Sequence, residues 1–185
     1  MPLQPITSIL TPRLTIRPVN GADLDDLFEM NSDETVTRFL PYKTWQTAAD
    51  GNAWLERMEA LGATGSGHQL VIERSDDRKV VGSILLFKFD EGSARIELGY
   101  AMGSGHWRKG YAREALHGVC THAFSQLAVR RIEAEVDPRN AASNALLTAL
   151  GFVREGLLRQ RWINKGVAID TNIYGCLSHE WARLP

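Results

Sequence analysis

The sequence predicts a single domain of the α+β class (α/β in the broader sense), with a mixed, mostly antiparallel sheet of about seven strands and helices on both faces. Two kinds of apolar periodicity predict it: alternation at every second residue in short runs, and recurrence at three- and four-residue spacing in longer runs. The chain has 185 residues, of which 44% are hydrophobic, and a chain of this length can bury a sizeable core without disulfides or metals. We therefore expect one domain over residues 1–185.

The first half of the chain predicts one strand, two helices and a three-stranded meander. Residues 11–18 alternate polar and apolar side chains between two prolines, which is typical of a short strand. Asn20 begins the first helix, and Thr47, with Asp50 three residues later, begins the second. Polar turns then separate three antiparallel strands, at residues 69–74, 79–89 and 94–102.

The second half of the chain contains the clearest helical pattern. Apolar residues recur at helical spacing over about four turns from Tyr111 to Leu127, which predicts a central helix. A strand, a shorter helix closed by Gly151 and two further strands follow it. The ranges of these four elements are 131–136, 141–150, 152–159 and 172–177.

Charge and apolar composition exclude two classes of partner. The chain has 21 Lys+Arg and 22 Asp+Glu side chains, interspersed, with a net charge of -1, so we expect no nucleic acid partner, which would require clustered cations. The longest apolar stretch, residues 80–87, is far shorter than the roughly 20 residues that span a bilayer. Residues 1–9 lack the pattern of a signal peptide. We therefore expect no membrane association and a cytoplasmic location.

The cysteines and histidines predict no metal site. Cys120 and Cys176 form no CxxC motif and have no partner at metal-ligand spacing, which fits core thiols in a reducing compartment. His117 and His122 lie roughly 140° out of phase on the predicted helix, so their side chains do not converge. No bound metal is expected.

The stretch from Glu97 to Ala112 joins a buried strand, a glycine-rich loop and the start of the central helix. Glycines let a ligand approach the backbone closely, and the first amides of a helix have no helical partner, so this junction can hold an anion. Arg108 and Lys109 add positive charge. The alternative, a tight strand-to-helix connection with two solvated cations, fits the spacing equally well.

Two known phosphate motifs do not fit this loop. The dinucleotide fingerprint needs a third glycine, which residues 103–108 lack. Residues 105–110 have the P-loop spacing, but Tyr111 and Ala112 stand where that motif needs a lysine and a hydroxyl. Nucleotide hydrolysis and hydride transfer are therefore not predicted.

Three ordered motifs resemble the GNAT superfamily of N-acetyltransferases. Residues 107–112, WRKGYA, are similar to its acetyl-CoA pyrophosphate loop, usually Gln/Arg-x-x-Gly-x-Gly/Ala, with Trp107 at the Gln/Arg position. That exchange, the block NAASNALLTALGF over residues 140–152 and the N-terminal strand resemble the RimJ/RimL-like branch, which acetylates the N-termini of ribosomal proteins. The resemblance runs from about residue 11 to residue 177.

The resemblance implies acetyl-CoA as the co-substrate and places it residue by residue. Arg113 would make an outer phosphate contact, and Asn140 would contact the CoA arm, cap the helix that follows it, or both. The pantetheine would lie between the strand that ends near Met102 and the strand 131–136, which splay apart in this family. Trp107 and the following residues would hold the CoA pyrophosphate, mainly through backbone amides: Arg108, Lys109, Gly110, Tyr111 and Ala112.

The resemblance also implies an acyltransferase that moves an acetyl group to a primary amine by direct attack. Glu97 is the candidate general base, because several GNAT enzymes use a strand glutamate near this place and burying a carboxylate between Ile96 and Leu98 is costly without a role. The alternative is a satisfied or solvent-facing glutamate. Many relatives place a tyrosine acid where this chain has Leu147. Ser143 is the nearest hydroxyl in the matching block, and the resemblance to the RimL-like branch implies it as the proton donor, with helix capping as its alternative role.

The acceptor stays open at this point. The RimL-like branch uses a glutamate before an Asn-Gly turn, whereas residues 159–166 contain no carboxylate, so a ribosomal protein is not assigned as the substrate. We expect a small amine or the N-terminus of a peptide or protein. The C-terminal strand and the region of Trp162 could pair two subunits into a homodimer. The alternative from another class is a non-catalytic acyl-CoA sensor, in which Leu147 and the missing carboxylate reflect lost catalysis.

Overall fold

The computed structural model describes residues 3–181, which form one eight-stranded sheet with helices on both faces. The strands are β1 (Ile9–Leu10), β2 (Leu14–Pro18), β3 (His68–Arg74), β4 (Val80–Asp90), β5 (Arg95–Met102), β6 (Arg131–Val136), β7 (Val153–Asn164) and β8 (Val167–Leu177). The helices are α1 (Leu24–Asn31), α2 (Glu34–Thr37), α3 (Ala48–Ala63), α4 (Tyr111–Ser125), α5 (Ala141–Ala149) and α6 (Ser178–Trp181). Two 3₁₀ turns lie at Gly21–Asp23 and Ser104–His106.

Within the described sheet, β5 and β6 are the parallel neighbours, and the other adjacent strands are antiparallel. The strand order is β1-β2-β3-β4-β5-β6-β8-β7. The parallel register joins residues 95–97 of β5 to residues 131–133 of β6, after which β5 continues to Met102 and β6 to Val136 as separate strands. The predicted splayed pair is confirmed, and its opening begins directly after Glu97.

The core has two parts because side chains alternate between the faces of a sheet. On one face, Leu116 of α4 packs in a cluster that includes Ile84 and Ile132, and α5 and α6 contribute to the same cluster. On the other face, α1 and α3 cover part of the sheet and bury Leu27 and Trp54. Charged side chains of β5 and β6 occupy the rest of that second face.

The structure extends the prediction at both ends of the chain. β1, which the sequence did not indicate, pairs with β2 at the edge of the sheet. A long hairpin, β7–β8, replaces the two short strands predicted at 152–159 and 172–177. Most side chains of β7 are exposed, so this part of the chain lacks the apolar alternation that predicts a strand.

Candidate active site

The loop before α4 presents backbone amides at the positive end of that helix. Gly110 is left-handed (φ 80°), a conformation that favours glycine, and directly precedes the first helical residue, Tyr111. The Glu114 amide donates to the Gly110 carbonyl at 3.1 Å, so the amides of residues 111–113 have no acceptor within the helix. These amides suit a bound phosphate. Exposed cations flank them: Arg108, Lys109 and Arg113.

Arg13 joins this loop to the helix start. Its Nε donates to Glu114 Oε2 at 2.7 Å, and its Nη1 donates to the Lys109 carbonyl at 3.0 Å. The guanidinium carbon lies 4.7 Å from the centre of the Tyr111 ring. A Cβ on Gly110 would lie 3.2 Å from Arg13 Nη2. The sequence analysis missed this clamp because Arg13 and Glu114 are 101 positions apart.

Glu114 is held in its ionised form. It accepts hydrogen bonds from Thr11 Oγ1 at 2.7 Å and from the Arg13 amide at 2.8 Å, besides the Arg13 side chain. Burial raises the pKa of Glu114, but the hydrogen bonds from Thr11 and Arg13 outweigh it and lower the pKa below its ordinary value. A negative charge in the first turn is also favoured by the helix dipole.

Trp107, at the Gln/Arg position of the motif, ties the loop to the end of β5. Its Nε1 donates to the Met102 carbonyl at 2.7 Å, and its side chain stays partly exposed. This contact holds the loop at the open end of the splayed strands. The predicted contacts of Trp107 and Met102 with CoA stay predictions.

Glu97 lies at the last paired position of the two parallel strands and is buried. Its Oε2 accepts a hydrogen bond from Lys88 Nζ at 2.7 Å, so the carboxylate has an ionic partner. Burial raises the pKa of Glu97, Lys88 lowers it, and the charges of Glu135 and Glu133 raise it further; the net pKa is above its ordinary value. A raised pKa suits a carboxylate that accepts a proton near neutral pH.

Asn140, and not Ser143, caps α5. The Asn140 Oδ1 accepts a hydrogen bond from the Ser143 amide at 3.2 Å. The interpretation of Ser143 as the cap is wrong, because Ser143 lies inside the helix and a capping side chain must precede its first residue. The capping role of Asn140 is confirmed, whereas its contact with CoA stays a prediction. Leu147, at the position of the tyrosine acid in many relatives, is fully buried in the core.

Tyr100 is a hydroxyl that the sequence analysis missed. It lies on β5 beyond the opening of the strands, and its Oη is 3.5 Å from the Ser143 carbonyl oxygen of α5. Burial raises the pKa of Tyr100 to about 12, so the phenol is protonated at neutral pH. The sequence did offer one signal for Tyr100: it is a hydroxyl on the same predicted strand as Glu97, three residues further on. Alternation along a strand places the two side chains on opposite faces of β5.

Trp162 of β7 lies against side chains of β6 and β4. Its Nε1 donates to Glu135 Oε2 at 2.5 Å, and Lys88 Nζ lies 5.5 Å from the centre of its ring. The β7–β8 register shifts between Leu158 and Trp162, and Gln160 within this bulge has a φ of 49°. A bulge of this kind redirects the side chains that follow it.

The tip of the β7–β8 hairpin packs on the loop after α2. Lys165 Nζ donates to the Thr37 carbonyl at 2.7 Å, and Asn164 Nδ2 donates to the Leu40 carbonyl at 3.3 Å. Residues 159–166 of the hairpin thereby lie over the strands near β6, and we call them the wall of the candidate site. Residues 159–166 bring no carboxylate to this wall; the carboxylate that contacts Trp162 comes from Glu135 of β6.

The cysteines are structural. Cys120 and Cys176 are buried, and burial raises the pKa of both thiols, to about 11 for Cys176. Protonated thiols are poor nucleophiles. Over residues 3–181, no three His, Cys, Asp or Glu side chains are grouped so that they could hold a metal ion. In the same part of the chain, every helix is too short or too polar to cross a membrane.

Comparison with known proteins agrees with this architecture. The family described as "Acetyltransferase (GNAT) domain" matches residues 13–153. The N-acetyltransferase p20 of Bacillus licheniformis, itself uncharacterized, is 32% identical over 175 residues, which cover 95% of this chain and 98% of that protein. The crystal structure of a GCN5-related N-acetyltransferase from Brucella melitensis has a TM-score of 0.87 and 25% identity, over 98% of this chain and 84% of that one.

A more distant structure shares the fold alone. A spermidine N-acetyltransferase from Vibrio cholerae, solved with CoA and spermine, has a TM-score of 0.82 and 18% identity, over 94% of this chain and 100% of that one. The relatives do not favour the alternative of a non-catalytic sensor, because p20, which matches nearly the whole chain, is named an N-acetyltransferase. The chain belongs to the GNAT family of acetyltransferases, and it is an N-acetyltransferase.

Proposed function

We propose that this enzyme transfers the acetyl group of acetyl-CoA to a primary amine by direct attack, without an acetyl-enzyme. One observation carries the proposal: β5 runs from buried Glu97, where its pairing with β6 ends, to Met102, and the loop that follows leads directly to the free amides of α4. Such a transfer needs a site for the CoA phosphates, a gap between the strands that positions the thioester, and a base for the amine, and these three features correspond to them.

The residues of the loop fit a CoA pyrophosphate. The amides of residues 111–113 lack helical acceptors, the preceding glycine leaves the approach to them open, and the Arg13 clamp holds them in place. In the proposal, the amides around Arg108 to Ala112 hold the pyrophosphate, and Arg113 makes an outer contact. Asn140 contacts the CoA arm from the start of α5. The pantetheine lies between Met102 and Val136, where β5 and β6 no longer pair.

Glu97 is the proposed base. Amines with a pKa of about 8 to 10 are mostly protonated at neutral pH, so the ammonium must lose a proton before nitrogen can attack. Glu97 takes that proton, directly or through one water. The amine nitrogen then bonds to the thioester carbonyl carbon, and the carbon–sulfur bond breaks. The nitrogen gives up its second proton to water as the amide forms, and the sulfur leaves as a thiolate that must be protonated.

The proton donor for the thiolate is proposed from two hydroxyls. Ser143 is the donor implied by the resemblance to the RimL-like branch. Tyr100 adds a phenol that is protonated at neutral pH and faces the same turn of α5, 3.5 Å from the Ser143 carbonyl. We favour Tyr100, because its phenol lies on β5 itself, beyond the point where β5 and β6 separate, and is protonated at neutral pH.

The proposed acceptor is a small amine or the N-terminus of a peptide or protein. The wall formed by residues 159–166 lacks the carboxylate of the RimJ/RimL-like branch, so we place the enzyme near that branch without its ribosomal substrate.

The long edge strand β7 exposes Val153, Leu157 and Ile163. An exposed apolar edge invites pairing, which supports the proposed homodimer. In this proposal the enzyme acts in the cytoplasm, needs no metal, and has no nucleic acid or membrane partner.

An amine panel tests the activity. Release of the CoA thiol is measured with n-butylamine, spermidine and tripeptides that begin with Ser, Ala or Met, each against acetyl-CoA alone. We expect release above the hydrolysis rate with at least one of them, and its loss in Glu97→Gln. Purified ribosomal proteins are assayed in parallel: release with them and with no member of the panel would instead support the strict RimL-like function, and no release with either set would support the sensor.

A further inference from the structure

Lys88 places an amine of the protein itself beside the proposed base. Its Nζ lies 2.7 Å from Glu97 Oε2, 5.2 Å from the centre of the Phe87 ring and 5.5 Å from that of Trp162. A carboxylate together with aromatic faces is the environment that recognises an alkylammonium ion. Lys88 thus has the chemistry and the surroundings expected of a bound acceptor.

Two backbone irregularities bring this environment together. The β4–β5 register shifts between Phe87 and Asp90, and Lys88 within this bulge has a φ of 52°. Phe87 pairs with Glu97, so in a regular strand the next side chain would point to the opposite face. The bulge at Gln160 directs Trp162 toward the same place from β7. A left-handed lysine costs free energy, and here it delivers the ammonium group to Glu97.

We propose that Lys88 occupies the acceptor's ammonium position and leaves it when the acceptor binds. This inference rests on the proposed function, because it identifies the recognised group as a primary ammonium on an alkyl chain. The Lys88 side chain is 45% exposed, whereas that of Glu97 is 9% exposed. Lys88 can therefore move into solvent while the carboxylate stays.

The exchange keeps the charge of Glu97 compensated throughout. A buried carboxylate without a partner is costly. The other charged groups around Glu97 and Trp162 are Glu133, Glu135, Arg95 and Arg161. Arg161 lies 3.5 Å from Glu135 Oε1 and 5.0 Å from the centre of the Trp162 ring, and so is engaged there. Arg95 is already bound to Glu133 at 2.6 Å. Lys88 neutralises Glu97 before the acceptor arrives, and the acceptor's ammonium replaces it on arrival. Lys88 is thus an internal competitor, and removing it should tighten the binding of an amine.

The test measures the binding of n-butylamine to the CoA-bound protein by calorimetry, where no acetyl group is available for turnover. Lys88→Met should bind n-butylamine about tenfold more tightly than the wild type, the scale of one charge-assisted hydrogen bond. Lys79→Met is the matched control, since Lys79 also pairs with carboxylates, at 3.1 Å from Asp26 and 2.8 Å from Glu29. It should bind n-butylamine like the wild type.

Lys88→Gln provides a second variant if Lys88→Met does not fold, because glutamine can still donate a hydrogen bond to Glu97. It should also bind n-butylamine more tightly than the wild type. Equal or weaker binding in a folded Lys88 variant overturns the inference, and so does a fall in kcat with an unchanged amine Kd, which indicates that Lys88 only keeps Glu97 ionised. Tighter binding without acetylation of any amine would leave the inference standing and reject the proposed function.

Discussion

The two sides of the splayed strands use different chemical groups. On the proposed CoA side, the backbone amides at the start of α4 lack acceptors within the helix, and the Arg13–Glu114 clamp holds them. On the proposed acceptor side, the side chains of Glu97, Lys88 and Glu135 meet beside Trp162. The amides of the first region come from one short segment and do not titrate, although a distant side chain, Arg13, helps to hold them. The second region is assembled from four strands, and the raised pKa of Glu97 makes it depend on pH.

The largest expected effect is the loss of acetyl-CoA binding in a variant of the loop before α4. Acetyl-CoA at about 100 times its Kd should add about 2.7 kcal/mol to the free energy of unfolding. Gly110→Asp should abolish this gain, because the φ of 80° disfavours a side chain and a negative charge would repel the pyrophosphate. The measurement is the melting shift with acetyl-CoA. Gly62→Asp, where a new Cβ would meet nothing within 4 Å, should keep the full shift. A full shift in Gly110→Asp contradicts the loop assignment.

The next largest effect is a loss of turnover with acetyl-CoA binding retained, in a variant of Glu97. Glu97→Gln should lower kcat by roughly 10² with little change in acetyl-CoA affinity. Because burial raises the pKa of Glu97, the wild-type rate should fall as pH drops through that raised pKa, and this acidic limb should disappear in the variant. Steady-state rates from acid to neutral pH measure both. Glu155→Gln, which alters an exposed partner of Arg131, is the control and should keep its kcat. Wild-type turnover in Glu97→Gln would place the base elsewhere.

A smaller effect distinguishes Tyr100 from Ser143 as the proton donor. Tyr100→Phe should lower kcat by about tenfold, a modest loss because water can also protonate a thiolate whose conjugate acid has a pKa of about 8.5. Ser143→Ala should lower kcat by less than about threefold. Thermal unfolding of both variants separates lost catalysis from lost stability. The reverse order of the two effects would return the role of the acid to Ser143.

The smallest effect tests the clamp. Arg13→Met should weaken acetyl-CoA binding by about threefold without changing kcat, because a partly exposed ion pair contributes little and the amides themselves remain. Calorimetric titration at low and high salt measures it, and the difference from wild type should shrink as salt screens the pair. An unchanged Kd together with a lower kcat would show that Arg13 acts on the chemistry rather than on the loop.

Much of the fold followed from local patterns. The capping residues Asn20 and Thr47 begin their helical segments as predicted, and the strand predicted at 131–136 has the same ends in the structure. The hairpin was the main miss, because an exposed edge strand has no buried face to impose alternation. Capping was an alternative role for both Asn140 and Ser143. The structure confirms it for Asn140 and contradicts it for Ser143, because the backbone becomes helical at Ala141 and a capping side chain must precede that residue.

The amino-acid sequence by itself determined the geometry of the proposed anion-binding junction, because Gly110, the cations beside it and the apolar stripe of α4 lie within one short segment. Only the tertiary structure decided the surroundings of Glu97. Lys88, Glu135 and Trp162 come from three strands, and their approach depends on strand order, register and two bulges. The physical reason is range: helix ends and turns are governed by neighbouring residues, whereas the environment that sets the charge of a buried carboxylate is formed by residues distant in sequence.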